Sequence, residues 1–335
     1  MFTEDPPTVS VVMPVYNVER FVAEAIRSVL DQSYQDFELI IVDDGGCDGS
    51  VDICRAFHDP RIRIISQLNR GLAAARNTGI AFSRGRYIAL LDSDDAWAAD
   101  KLARHVEHLE ASPQVGASYA GSELKDAAGR SLGILQLPKL GRAKAKDVFC
   151  GRAILNGSSP VFRRAMLEES VLPSDAPGRS CVFDESLRRS EDVECWTRLA
   201  LTSRFQFEGI AGALTYYRIS SSGLSADVIK QLDSWDAVFA RLAAIDPAFI
   251  VANGKEARSR ELRYLARRCV QMRDRGLGLL LAWESLKHFP LLLLLEPVKT
   301  ATTLLACLLM RLLPRSGFDG LLGLLKPMLA VQVAS

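Results

Sequence analysis

The sequence is poor in the residues that would signal several common functions. Its seven cysteines (Cys47, Cys54, Cys150, Cys181, Cys195, Cys269, Cys307) are odd in number and form no Cys-x-x-Cys pair. That argues against a disulfide framework and for reduced thiols in a cytoplasmic chain. Histidine occurs four times. Of these, His105 and His108 stand three apart on an expected helix, read as an exposed face rather than a zinc site. A formal net charge of +1, with no finger or DNA-reading helix pattern, leaves no basis for a nucleic-acid partner. No apolar run reaches the ~20 residues needed to cross a bilayer, because Lys287, Pro290, Glu296, Pro297, Lys299 and Arg311 interrupt the leucine-rich tail. The opening MFTEDPPTVS carries neither the basic nor the apolar stretch of a secretion signal, so none is expected.

What is present is a chain of 335 residues, 48% hydrophobic and 24% charged. It is long enough for one large domain with its own core and an appendage. Charge is unevenly spread: from Lys255 onward 13 basic residues face six acidic ones, a net +7 against −6 for the rest.

The first 110 residues alternate strand and helix. TVSVVMPV is a β-branched run that stops at Pro14, which has no N–H to donate to a ladder. Phe21, Val22, Ala25, Ile26, Val29 and Leu30 recur at helical spacing. FELIIV, RIRIIS and YIALL read as further strands, with VDICRAFH and GLAAARNTGIAFS as the helices between them. Continuous apolar strands in βα units predict a parallel sheet covered on both faces, with ligands beyond the carboxyl ends of the strands.

Those ends are where the chemistry gathers. Strand one ends in Pro14-Val15-Tyr16-Asn17, the second in Asp43-Asp44-Gly45-Gly46 and the fourth in Asp92-Ser93-Asp94-Asp95. Crowded carboxylates repel unless a proton or cation neutralises them. Hard cations such as Mg²⁺ or Mn²⁺ take one or two carboxylates and complete their shell with phosphate and water. Asp92 and Asp94 would share one side of an extended segment and grip one metal, or a metal and a ribose. By itself the D-x-D spacing is equally a solvated turn, and DDGGCDGS a plain turn with Asp48 capping the next helix. A carboxylate such as Asp44 can also accept from a nucleobase N–H or a sugar hydroxyl.

Together the segments are specific. TVSVVMPVYN, LIIVDDGGCDGS, NRGLAAARNTGIAFSRGRYIALLDSDDAW, FDESLRRSEDVECWTRLA and LTYYRISSSGLS, in that order over residues 8 to 225, resemble family-2 glycosyltransferases. Those are inverting enzymes of the GT-A fold, a Rossmann-like mixed sheet with helices on both faces, acting on nucleotide-diphospho-sugars. The resemblance implies that Asp44 reads the base, with Pro14, Tyr16 and Asn17 lining its pocket and Asp92 and Ser93 on the nucleotide side, where Arg76 and Asn77 either join them or serve packing. It puts ribose and metal at Asp92 and Asp94, with Asp95 a rival for one role, and Mg²⁺ or Mn²⁺ as cofactor. It makes Asp192 of Glu191-Asp192 the general base and brings Arg218 toward the diphosphate. A plainer reading of Glu191-Asp192 is an acidic pair favoured at a helix start. Two departures stand out: Gly46 and Cys47 loosen the turn after Asp44, and Ser220 stands where relatives often have histidine.

The remaining chain is less legible. Residues 111 to 225 would form the acceptor half beside a nucleotide half at 8 to 110, and they do not name the acceptor, saccharide or lipid-linked. After residue 226 the chain becomes helical, basic and leucine-rich. A bundle packed on the catalytic domain or against a second subunit fits 226 to 285, and contact with an anionic membrane face fits 286 to 330. The expected activity is transfer from a UDP-sugar at the inner face of the cytoplasmic membrane. A non-catalytic nucleotide-sugar-binding scaffold is the alternative. A sugar nucleotidyltransferase is disfavoured by MPVYNVER, which stands where that class carries a glycine-rich basic loop.

Overall fold

The computed structural model describes residues 5–172, 181–219 and 227–314. Three βα steps and a fourth strand open it: β1 (Val9–Val15), α1 (Val22–Leu30), β2 (Phe37–Asp43), α2 (Ser50–Arg55), β3 (Ile62–Ser66), α3 (Leu72–Phe82) and β4 (Tyr87–Leu90). The two-residue period of a strand divides β1 between two cores. Val9, Val11, Met13 and Val15 join Val22, Ala25, Ile26 and Val29 of α1, whereas Val12 points the other way to Ala73 of α3. Helix α3 lies unusually close to the sheet, for a Cβ on Gly79 would stand 2.2 Å from Val12 Cγ1. Only glycine permits that approach.

The chain continues through β5 (Ala96–Trp97), α4 (Lys101–Ala111), β6 (Val115–Lys125), β7 (Ser131–Gln136), β8 (Gly141–Ala143), α5 (Ala145–Phe149), β9 (Val161–Arg163), α6 (Arg164–Glu168), α7 (Glu191–Thr202) and β10 (Gln206–Arg218). One ten-stranded sheet runs β3-β2-β1-β4-β9-β6-β10-β5, with β7 added on β6 and β8 on β10. The first four strands are parallel as expected, and antiparallel β9 between β4 and β6 makes the whole sheet mixed. His105 and His108 do not form the exposed face expected of them. His105 is fully buried where α4 packs on β6, and the Nδ1 atoms of both rings lie within 2.8 Å of the Ser118 hydroxyl.

Five helices follow: α8 (Val228–Ile245), α9 (Pro247–Met272), α10 (Gly278–His288), α11 (Leu292–Leu295) and α12 (Pro297–Leu312). Helix α9 begins cleanly because Pro247 has the φ a first turn needs and the Asp246 carboxylate accepts from Phe249 N–H at 2.8 Å. Helices α8 and α9 pack on the sheet domain through aromatic contacts, with Phe149 of α5 within 5.8 Å of the Trp235, Phe239 and Phe249 rings. Leu265 and Cys269 of α9 meet Leu281 of α10 and Cys307 of α12 in a separate small core. The outer faces remain apolar and exposed, notably Trp283, Leu291, Leu294, Leu295 and Leu312. No helix among the described residues is long and apolar enough to cross a membrane.

Candidate active site

Parallel register brings the ends of β1, β2 and β4 to one edge. Val15 sits opposite Asp43, and Leu91 N–H donates to Val12 C=O at 3.0 Å, so Pro14, Tyr16, Asn17, Asp44 and Asp92 to Asp94 emerge together. They line a cleft of about 1590 Å³. Tyr16 is half exposed on its rim. Asp44 is buried and holds the loop before α3, its carboxylate accepting from Gln67 Nε2, Arg70 N–H and Gly71 N–H at 2.7–2.9 Å. Three bonds leave one of a carboxylate's roughly four acceptor directions open to a ligand.

The turn after Asp44 is not loosened by Gly46 and Cys47. Asn17 Oδ1 accepts from Cys47 N–H at 2.9 Å, and Glu19 and Asp48 exchange bonds with each other's segment through Gly49 N–H and Glu19 N–H. Asn17 does this from a left-handed conformation, φ 52°. Ser190, immediately before Glu191, is also left-handed at φ 56° and also lines the cleft. Backbone strain held at two places in one cleft is typical of a working site.

Arg76 joins the two acidic motifs. Its guanidinium, almost fully buried, donates to Asp92 Oδ1 at 2.6 Å and to Glu191 Oε1 at 2.7 Å. It is therefore an internal bridge that also lines the cleft. Asn77 beside it is likewise structural: its carboxamide accepts from Val182 and Phe183 N–H at 2.9 Å and donates to Phe183 C=O and to Glu185, clamping the segment that leads to α7. Burial raises Glu191 to about 7 despite the pull of Arg76. Burial also raises Asp192, whose side chain accepts from Val193 N–H at 2.8 Å. Of the pair, Glu191 is occupied and Asp192 faces the cleft.

Around the D-x-D segment the structure departs from expectation in two ways. The segment is a turn, closed by Asp95 N–H to Asp92 C=O at 2.9 Å, rather than an extended stretch. Asp95 turns inward and is buried, accepting from Ser158 Oγ at 2.6 Å and Arg218 N–H at 2.9 Å, so it competes for neither metal nor ribose. Arg218, which lines the cleft, is held from within the protein: its guanidinium donates to Asp94 C=O, Asp126 C=O and the Glu24 carboxylate. Ser93 and Asp94 line the cleft. Asp94 forms no ion pair among the described residues, and burial followed by repulsion from Asp92 raises it to about 6. Two adjacent carboxylates, one unpaired and reluctant to ionise, suit a hard divalent cation completed by phosphate and water. No cluster of three or more potential ligands occurs among the described residues. Ser220 lies outside the described residues.

The far wall of the cleft escaped the sequence reading. Arg260, Glu261, Arg263, Tyr264 and Arg267 of α9, with Glu296 and Lys299, line it. Glu261 is raised to about 8 by burial and by the nearby charge of Asp192, so α9 reaches the acidic motif. The signal was available as a basic stripe at i, i+3, i+7 (Arg260, Arg263, Arg267), but helical spacing alone does not say what a face meets.

Residues 10–171 match the family described as Glycosyl transferase family 2. Succinoglycan biosynthesis protein ExoO of Rhizobium meliloti is 33% identical over 255 residues, covering 72% of this chain and 70% of that protein. The chain belongs to glycosyl transferase family 2. Another family relative is the Escherichia coli UDP-Glc:alpha-D-GlcNAc-diphosphoundecaprenol beta-1,3-glucosyltransferase WfgD, 27% identical over 69% of this chain and 85% of that one. Among solved structures, mannosyltransferase PcManGT from Pyrobaculum calidifontis, in complex with GDP-Man and Mn²⁺, superposes with TM-score 0.57 at 22% identity, covering 92% of this chain and 86% of that chain. The glycosyltransferase thus has the GT-A fold expected, with helices added at its C-terminal end.

Proposed function

We propose that this glycosyltransferase moves a sugar from a UDP-sugar to an acceptor hydroxyl with inversion, in polysaccharide or glycoconjugate assembly. The observation that carries the reading is the Arg76 bridge, which fixes Glu191-Asp192 across the cleft from Asp92-Ser93-Asp94. A donor seated along the rim would place its diphosphate at Asp92 and Asp94 and its anomeric carbon toward Asp192. The Asp192 carboxylate takes the acceptor proton, the acceptor oxygen forms a bond to the anomeric carbon, and the bond to the diphosphate oxygen breaks on the opposite face. Asp92 and Asp94 would hold Mg²⁺ or Mn²⁺, whose charge would stabilise the departing diphosphate. WfgD's name supports both a UDP-sugar donor and a lipid-linked acceptor.

Asp44 favours a base that presents an N–H, as uracil does and cytosine at the same ring position does not. Calorimetric titration of UDP, GDP, CDP and TDP with Mn²⁺, and again with EDTA, tests this. UDP should bind only with metal and CDP should bind weakly. No binding of any diphosphate by folded protein refutes the donor site.

The exposed Trp283, Leu294, Leu295 and Leu312, near Lys287 and Arg311, favour a second feature of the same reading, peripheral attachment to an anionic leaflet. The protein should float with vesicles containing phosphatidylglycerol, and Leu294→Asp with Leu295→Asp should release it. Equal recovery with neutral vesicles, or none with either, rejects membrane contact.

A further inference from the structure

The turn that carries Asp92 and Asp94 is fastened to a loop far along the chain, the one that leads into β9. Asp92 lies past the end of β4, and its N–H donates to the Ser158 hydroxyl at 3.0 Å. The same hydroxyl donates to Asp95 Oδ2 at 2.6 Å, while Asp95 Oδ1 accepts from Arg218 N–H at 2.9 Å. One oxygen thus accepts at the first residue of the turn and donates at the last. Ser158 is fully buried, and among side chains small enough for such a place a hydroxyl is the group that both donates and accepts well.

The serine is itself held in place. Its C=O accepts from Trp97 Nε1 at 3.0 Å and from Thr215 Oγ1 at 3.4 Å, and the next C=O, of Ser159, accepts from the buried Lys101 Nζ at 2.6 Å. On the other side of Ser158 the chain runs against the acidic motifs, for a Cβ on Gly157 would stand 2.6 Å from Arg76 Nη2 and 3.0 Å from Asp92 Oδ2. Beyond Ser159, Val161 pairs with Ala89 of β4 and with Ser118 of β6. The loop is therefore a fixed point. Three carboxylates within four residues repel one another and push a turn open. With Asp95 drawn inward, Asp92 and Asp94 are left lining the cleft, and ligands already in place spare a cation the cost of ordering them.

We infer that Ser158 is a positioning residue for the metal site: by clasping Asp92 N–H and the Asp95 carboxylate it sets Asp92 and Asp94 for Mg²⁺ or Mn²⁺ without touching the ion. The inference rests on the donor reading above and deepens it by naming what holds the ligands. Groups that orient the ligands of a metal are typically worth about 10–100-fold in its affinity.

The test is Mn²⁺ binding to the full chain in the presence of UDP, followed by the electron paramagnetic resonance signal of free Mn²⁺, with urea unfolding in EDTA as the check on the fold. Ser158→Ala should weaken Mn²⁺ by about tenfold or more, and Ser158→Thr, which keeps the hydroxyl, should restore most of the affinity. Asp95→Asn keeps the outline of its side chain and serves if Ser158→Ala does not fold; it should weaken Mn²⁺ less than Asp94→Asn does. The inference is overturned if folded Ser158→Ala holds Mn²⁺ as the wild type does, if Ser158→Thr is as weak as Ser158→Ala, or if Asp95→Asn is as damaging as Asp94→Asn. A wild-type protein that binds no Mn²⁺ with UDP present sinks the donor reading itself, and this inference with it.

Discussion

Asp192→Asn should lower sugar transfer by about 10²–10⁴-fold, the usual worth of a positioned general base, and leave Mn²⁺-dependent UDP binding intact. The substitution keeps the size of the side chain and an oxygen able to accept from Val193 N–H, so α7 should not shift. What it removes is the carboxylate facing the cleft. The measurement pairs initial rates of sugar transfer with calorimetric UDP affinity. Glu191→Gln makes an informative comparison, because Glu191 is bound to Arg76 at 2.7 Å and its loss should disturb stability as well as rate. A non-catalytic scaffold would lose nothing functional with Asp192→Asn, and a rate close to wild type would return that alternative to the front.

Arg76→Met should destabilise the fold by about 3–5 kcal/mol, the range for breaking a buried ion pair by removing one partner. The loss is large because the guanidinium is shared: without it Asp92 and Glu191 face each other with Asp192 nearby and no cation between them. The sign of the pH dependence follows. Glu191 is already raised to about 7 and Asp192 is raised too with Arg76 present, and without it these two hold protons more tightly still. Ionising them in the variant is what costs stability, so the deficit should be largest above pH 7 and shrink as the pH falls toward 5. Urea unfolding of both proteins at pH 7.5 and 5.5 checks this. An equal deficit at both values would mean that Arg76 acts by packing alone.

Much of the fold was legible because its information is local. The strands and helices from Val9 to Leu90 follow from the two-residue and 3.6-residue spacing of their apolar side chains, and the carboxylate-rich rim follows from where the strands stop. The spacing rule did mislead at Asp92 to Asp94, where an extended segment was expected and a turn formed. There Asp95 N–H bonds to Asp92 C=O and Ser158, 63 residues from Asp95 in sequence, captures the Asp95 carboxylate. His105 failed for a related reason, since the hydroxyl that makes its burial tolerable, Ser118, lies on a neighbouring strand.

By itself, then, the sequence determined the βα alternation, the edge on which Asp44, Asp92 and Asp94 emerge, and the family. Tertiary structure decided which charges meet. With 41 basic and 40 acidic residues in the chain, pattern does not choose their partners. Docking does, because an ion pair needs atoms within about 4 Å and only packed elements bring distant residues that close. Arg76 found Glu191 across 115 residues and Arg218 found Glu24 across 194, so two arginines that line the cleft also brace it. The same docking set α9 against the cleft, so that residues with the spacing of an ordinary helix face became its far wall.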